Sequence, residues 1–208
     1  MAIIRYFIPA AACAALFSPA GFAAEPSFDC GKATHEVEKL VCGDDALAGL
    51  DKRLAADFAK AMDQVSGADQ AELRASQEKW IEARNACAKQ DDPRACALES
   101  YKTRIAIMGA RYGFAPISTG TFLFACDDAA KSSFYATFFE TDPATMNLVS
   151  MAPGAEKSVT LVQGMSGSGA RYEGDDGIVF WNKGDDATVE WPAGTELNCS
   201  TDGKTVGD

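Results

Sequence analysis

The chain has 208 residues, of which 47% are hydrophobic and 24% charged, with a formal net charge of -11. That length allows one ordinary domain or two small ones, and an acidic balance of this size argues against nucleic acid and anionic lipid as partners. The charge is uneven: residues 25–120 carry 16 acids and 13 bases, whereas residues 121–208 carry 14 acids and 5 bases, a balance of -9 that keeps the second half soluble and would attract basic proteins.

Residues 1–24 open with Arg5, run through apolar residues 8–17 and reach Gly21-Phe22-Ala23-Ala24, the pattern of a secretory signal peptide. The expected mature start is Ala24 or Glu25. Cys13 follows Ala10-Ala11-Ala12, a poor lipid-attachment box placed too early, so a periplasmic protein is expected ahead of an outer-membrane lipoprotein. No later stretch is apolar for long enough to span a bilayer. Removing the signal leaves Cys30, Cys42, Cys87, Cys96, Cys126 and Cys199, an even set in an exported chain, where disulfides persist. Number alone leaves their pairing open; the division of the chain suggests Cys30–Cys42, Cys87–Cys96 and Cys126–Cys199.

Residues 34–41 read as a short helix with Thr34 as its cap and Glu36 and Glu38 in its first turns. Asp44-Asp45 opens a longer one, with Leu47, Leu50, Leu54, Phe58 and Met62 along one face, ending at Ser66-Gly67. A third starts at Asp69 and aligns Leu73, Gln77, Trp80, Ile81 and Arg84. Asp92-Pro93 caps a fourth through Cys96, Tyr101, Ile105 and Met108. Residues 113–120 break the pattern and read as a linker. From Thr121 the period becomes alternating, giving eight short β-rich runs at 121–126, 133–140, 145–150, 158–163, 170–173, 178–182, 187–191 and 196–199, punctuated by Asp, Gly, Pro and Asn. The expected architecture is α+β in two modules: an antiparallel helical module over 25–112, and a small antiparallel β-barrel over 121–208.

Little in the chain suggests catalysis. His35 is the single histidine, far in sequence from Ser166 and Ser168, and neither serine sits in a Gly-x-Ser-x-Gly elbow. The Asp-Asp pairs at 44–45, 91–92, 127–128, 175–176 and 185–186 lack calcium-loop spacing, and the cysteines lack paired Cys-x-x-Cys units, so no metal or other cofactor is expected. Gly167-Ser168-Gly169 could cradle phosphate only if a helix followed, and a strand follows instead. What remains is an exposed small-residue loop feeding an aromatic strand.

Two motifs in order, Ser166-Gly167-Ser168-Gly169-Ala170-Arg171-Tyr172 and Phe180-Trp181-Asn182-Lys183-Gly184, make residues 121–199 resemble the MliC/PliC family of inhibitors of c-type lysozyme. Residues 28–111, with Phe28-Asp29-Cys30, Val41-Cys42, Gln77-x-x-Trp80-x-x-x-Arg84 and Tyr101-x-x-Arg104, resemble the LprI-type helical module. The resemblance implies a non-enzyme whose partner is a host or competitor c-type lysozyme. Its Ser168 loop, with Gly167, Gly169, Arg171 and Tyr172, would enter the lysozyme cleft, and Lys183 would add a cation beside the catalytic carboxylates. One departure bears on this: residues 173–177 are one longer than the family pattern. A shift of register there would turn Lys183 to the other face. An envelope module that stacks glycan on Trp181, Tyr172 and Trp191 is the alternative reading.

Overall fold

The computed structural model describes residues 25–128, 130, 132–151, 157–175, 177–191 and 195–207; the expected signal peptide, Cys13 and Asp176 lie outside them. Four helices come first: α1 (Glu36–Gly43), α2 (Asp45–Gln64), α3 (Gly67–Asn85) and α4 (Pro93–Arg111), with short 3-10 turns at Cys30–Lys32 and Ala86–Lys89. None among the described residues is long and apolar enough to cross a membrane.

The cap of α1 is His35, not Thr34. Its Nδ1 accepts the Val37 N–H at 3.2 Å, while the Glu38 carboxylate accepts the N–H groups of His35 and Thr34, each at 3.0 Å. Those two donors, His35 first, hold the Glu38 carboxyl below its ordinary value. The capping box is therefore complete, but with imidazole in the place usually taken by a hydroxyl. Asp44 caps α2 by accepting from Ala46 and Leu47 at 3.0 Å, and it also receives the Arg94 Nε at 2.6 Å. Asp92 caps α4 through the Ala95 N–H, with Pro93 first in the helix.

Leu47, Leu54 and Ala61 of α2 are buried and Leu50, Phe58 and Met62 lie at the core's margin, where they meet Val37, Val41, Leu73, Tyr101, Ile105 and Met108. α3 begins at Gly67, two residues earlier than expected, and buries Leu73 and Arg84 but leaves Ile81 37% exposed. At one hundred degrees per residue, Ile81 falls at the edge of the stripe that Leu73, Gln77, Trp80 and Arg84 define. Disulfides Cys30–Cys42 and Cys87–Cys96 tie each 3-10 turn to the neighbouring helix.

The second half is a closed antiparallel barrel of eight strands in sequence order: β1 (Ile117–Cys126), β2 (Ser133–Phe139), β3 (Thr145–Ser150), β4 (Lys157–Gly164), β5 (Ala170–Glu173), β6 (Val179–Lys183), β7 (Asp186–Trp191) and β8 (Thr195–Ser200). Alternate residues Phe124, Phe134, Met146, Leu148, Leu161, Phe180 and Val189 fill the interior. The closing seam is short, pairing Ala125 with Ser200 and Cys126 with Cys199, and the Cys126–Cys199 disulfide crosses it. β1 starts inside the stretch read as linker. Its register slips between Ile117 and Gly120, and Gly120 at φ +109° lies against the C-terminal segment, where a Cβ would stand 2.6 Å from Thr205 Cγ2. A bulge of this kind breaks the alternation on which strand recognition depends.

The two halves touch along α4, which lies on the outer face of β3 and β4. Asn147 Nδ2 donates to the Ala110 carbonyl at 3.0 Å and its Oδ1 accepts from Thr160 Oγ1 at 2.8 Å, while Lys102 pairs with Asp142 at 2.9 Å.

Candidate functional site

β5 and β6 pair with Ala170 opposite Asn182, Arg171 opposite Trp181, Tyr172 opposite Phe180 and Glu173 opposite Val179. That register is unbroken. In the turn that joins the two strands the Gly174 N–H donates to the Ile178 carbonyl at 2.9 Å and Gly177 adopts φ +73°. Because the ladder does not slip, the loop before Ala170 and the turn after Asn182 emerge side by side at one end of the barrel.

The loop 165–169 leaves β4 after Gly164, which pairs with Arg171. Trp181 holds it from below: the indole Nε1 donates to the Ser168 carbonyl at 2.8 Å, and the Ser166 hydroxyl donates to that same oxygen at 2.6 Å. Gly169, at φ +66°, passes so close to β6 that a Cβ would stand 2.3 Å from the Asn182 carbonyl oxygen. Backbone and indole are therefore occupied in shaping the loop. The Ser168 hydroxyl is not, for among the described residues it has no hydrogen-bond partner.

Lys183 ends β6. A two-residue turn, Gly184-Asp185, with Gly184 at φ +66°, returns the chain to Asp186 opposite it. Lys183 is exposed and without an ion pair among the described residues. With Trp181, Thr188, Asn198, Asp127 and Asp186 it lines a shallow groove of about 490 Å³ on the barrel's outer face. A hydroxyl donor and a free ammonium thus stand at one mouth, and an external carboxylate could receive both.

Arg171 and Tyr172 take opposite faces of β5. Arg171 is spent on an ion pair with Glu173. Tyr172 points into the barrel, 7% exposed with its ring 5.7 Å from that of Phe138, and burial pushes its phenol above the ordinary value. Strand alternation separates the two, one outward and one inward. Trp191 packs its ring on Phe134 at 5.1 Å, so of the aromatics considered for glycan stacking Trp181 alone is well exposed, at 43%.

In the helical half the motif residues face one another. Tyr101 Oη accepts from Arg84 at 2.6 Å and donates to Asp51 Oδ1 at 2.9 Å, and Asp51 Oδ2 accepts both the N–H and the hydroxyl of Ser27. The Arg84 guanidinium lies over the rings of Trp80 and Tyr101, and Arg104 donates to Gln77 and Ser76. Burial lowers the Arg104 pKa and raises that of Tyr101. The stripe Gln77, Trp80, Arg84 is a packing device. His35, engaged as a helix cap, is remote from both serines in the chain and carries no catalytic arrangement.

Two features of the loop are not legible in the sequence. Trp181 clamps the loop, a role visible only from the strand register, and Met165 at the loop's start is 97% exposed.

Comparison with known proteins gives two family matches. The family described as membrane-bound lysozyme-inhibitor of c-type lysozyme, MliC, matches residues 124–198, and the family described as lysozyme inhibitor LprI matches residues 30–111. The lipoproteins LprI of Mycobacterium tuberculosis and Mycobacterium bovis are each 35% identical over 161 residues, covering 74% of this chain and 74% of theirs. A crystal structure of Pseudomonas aeruginosa MliC in complex with hen egg white lysozyme is 20% identical, covers 42% of this chain and 85% of that one, and superposes with a TM-score of 0.32.

Proposed function

We propose, from the premise that the chain belongs to the LprI family of lysozyme inhibitors, that it is a periplasmic inhibitor of c-type lysozyme whose Ser168 loop plugs the enzyme's cleft. The MliC match over the barrel and the inhibitor description of both families support an inhibitor in place of an enzyme. The names of the relatives, membrane-bound and lipoprotein, point to the cell envelope. The observation that carries the mechanism is that the Ser168 hydroxyl, on a loop fixed by Trp181, and the Lys183 ammonium, at the end of β6, emerge at one end of the barrel, each without a partner among the described residues.

Glycoside hydrolysis needs one carboxyl protonated and a second ionised. In the complex, the Ser168 Oγ–H donates to one of these carboxyl groups and the Lys183 ammonium pairs with the ionised one. Water is excluded around them, so both contacts gain strength. Neither carboxyl group can then serve the substrate.

A turbidity assay of cell-wall lysis tests this. The purified protein should silence c-type lysozyme at micromolar excess. Ser168→Ala and Lys183→Ala should each raise the inhibition constant by about ten- to a hundredfold, the loss of one charge-assisted hydrogen bond, with melting temperature unchanged. Full lysozyme activity at micromolar excess of the wild-type protein would refute the reading.

A further inference from the structure

Met165 is the most exposed large hydrophobic side chain among the described residues, at 97%; the others so exposed, Ile117, Val206, Trp181, Leu123, Met151 and Ile81, lie between 37% and 56%. It sits one residue beyond the last β4–β5 pair, Gly164 with Arg171. The residues that follow it, Ser166 to Gly169, are small and exposed, so none of them shields it. The loop behind it is held by the Trp181 indole, the Ser166 hydroxyl and the close passage of Gly169 over β6. An acidic barrel therefore presents a bare thioether on a preorganised support, on the same loop as a hydroxyl that has no partner among the described residues. Exposed apolar surface on a shaped loop is what a binding anchor looks like before its pocket closes on it.

We propose that Met165 is a further contact residue of the inhibitory site, an apolar anchor that enters an aromatic-lined subsite of the hydrolase cleft, and that its oxidation releases the inhibitor. The inference rests on the lysozyme-plug reading given above. A cleft that holds a ligand is lined largely by apolar and aromatic walls, and methionine adapts to such walls through its flexible chain and its sulfur–ring contacts. Ser168 and Lys183 supply the polar contacts, and Met165 supplies the apolar burial that they lack. The same exposure makes the sulfur accessible to peroxide. In that step the peroxide O–O bond breaks, one oxygen joins the Met165 sulfur as the sulfoxide, and the other leaves as water; sulfur is oxidised by two electrons and the peroxide is reduced. The product is polar and no longer suits an apolar subsite. Met108 and Met146, at 1% and 0% exposure, are shielded and Met62 is partly buried against the helical core, which leaves Met151, at 39%, as the competing exposed methionine sulfur among the described residues.

Inhibition constants of the full chain against c-type lysozyme, before and after treatment with hydrogen peroxide, test the proposal, with oxidation sites located by peptide mass spectrometry and folding followed by thermal melting. Met165→Ala should weaken inhibition by about ten- to a hundredfold, as for a buried methionine side chain lost, and Met165→Leu should recover most of that loss. Peroxide should weaken the wild-type protein by a similar factor while changing Met165→Leu by less than about threefold relative to its own untreated form, with the melting curve retained. Wild-type inhibition by Met165→Ala, alongside weakened inhibition by Ser168→Ala, would overturn the anchor and leave the plug standing. Wild-type inhibition by both variants would instead remove the loop from the site altogether. Equal peroxide sensitivity of wild type and Met165→Leu would place the sensitive sulfur elsewhere and overturn the oxidative release.

Discussion

Gly169 sits at φ +66° with a backbone carbonyl oxygen 2.3 Å from the place where a Cβ would stand, so a side chain there must push the loop away from β6. Displacing the loop also pulls the Ser168 carbonyl from the Trp181 indole that holds it. The left-handed conformation and the clash together cost about 1–3 kcal/mol. Gly169→Ala should therefore raise the inhibition constant by about five- to a hundredfold, through a loop that is intact in sequence but wrongly aimed. Titration of lysozyme activity checks this, and an unchanged constant would show that the loop's shape does not matter. Ser168 and Lys183 stand out in the sequence because they lie in two short motifs whose order is informative. The clamp does not, because placing Trp181 beneath Ser168 requires Ala170 to pair with Asn182, and register is a non-local property. Tyr172 was misplaced for the complementary reason: a motif names a residue without saying which face of the strand it takes, and this one faces inward.

The helical elements were legible from apolar spacing and caps, and the strands from alternation and turn residues; their errors fall where a local rule meets a tertiary one. His35 displaces Thr34 as a cap because Glu38 gathers both preceding N–H groups, and β1 extends back to Ile117 because a bulge hides its first residues. The buried chain of Ser27, Asp51, Tyr101 and Arg84 could not be foreseen as a network, since it joins residues 24, 50 and 17 positions apart. It has a pH signature. Burial, together with the Asp51 charge, raises the Tyr101 phenol despite the opposing Arg84 guanidinium. The native state therefore holds this proton more tightly than the unfolded chain does, where the phenol titrates near about 10. The stability it lends is complete below that pH and falls as pH climbs through the higher native value. Denaturant unfolding of the wild-type protein should show this decline above about pH 10. Tyr101→Phe, though less stable at neutral pH, should show a flatter dependence over that range; an equally steep decline in the variant would assign the alkaline loss to other groups.

Across the whole molecule the charge is segregated, with a balance of -9 in residues 121–208 against -3 in residues 25–120, and Lys183, the cation of the proposed site, belongs to the more acidic half. The two features act at different ranges. Net charge works over the Debye length, about 10 Å at 0.1 M salt, and on the proposed function would steer the approach of a basic lysozyme. In the proposed complex Lys183 works at contact, against a carboxylate that solvent has left. Raising salt from about 0.02 M to about 0.5 M should then slow association by roughly tenfold or more while dissociation changes little. Lys183→Ala separates the two effects further. It makes the barrel more negative by one charge, so its association rate should equal or exceed that of the wild-type protein at low salt, while its dissociation rate rises by the whole of the affinity loss. Surface-captured lysozyme with the two proteins flowed over it at several salt concentrations gives both rates. A slower association for Lys183→Ala would mean that the local cation, not the field of the acidic barrel, draws the partners together.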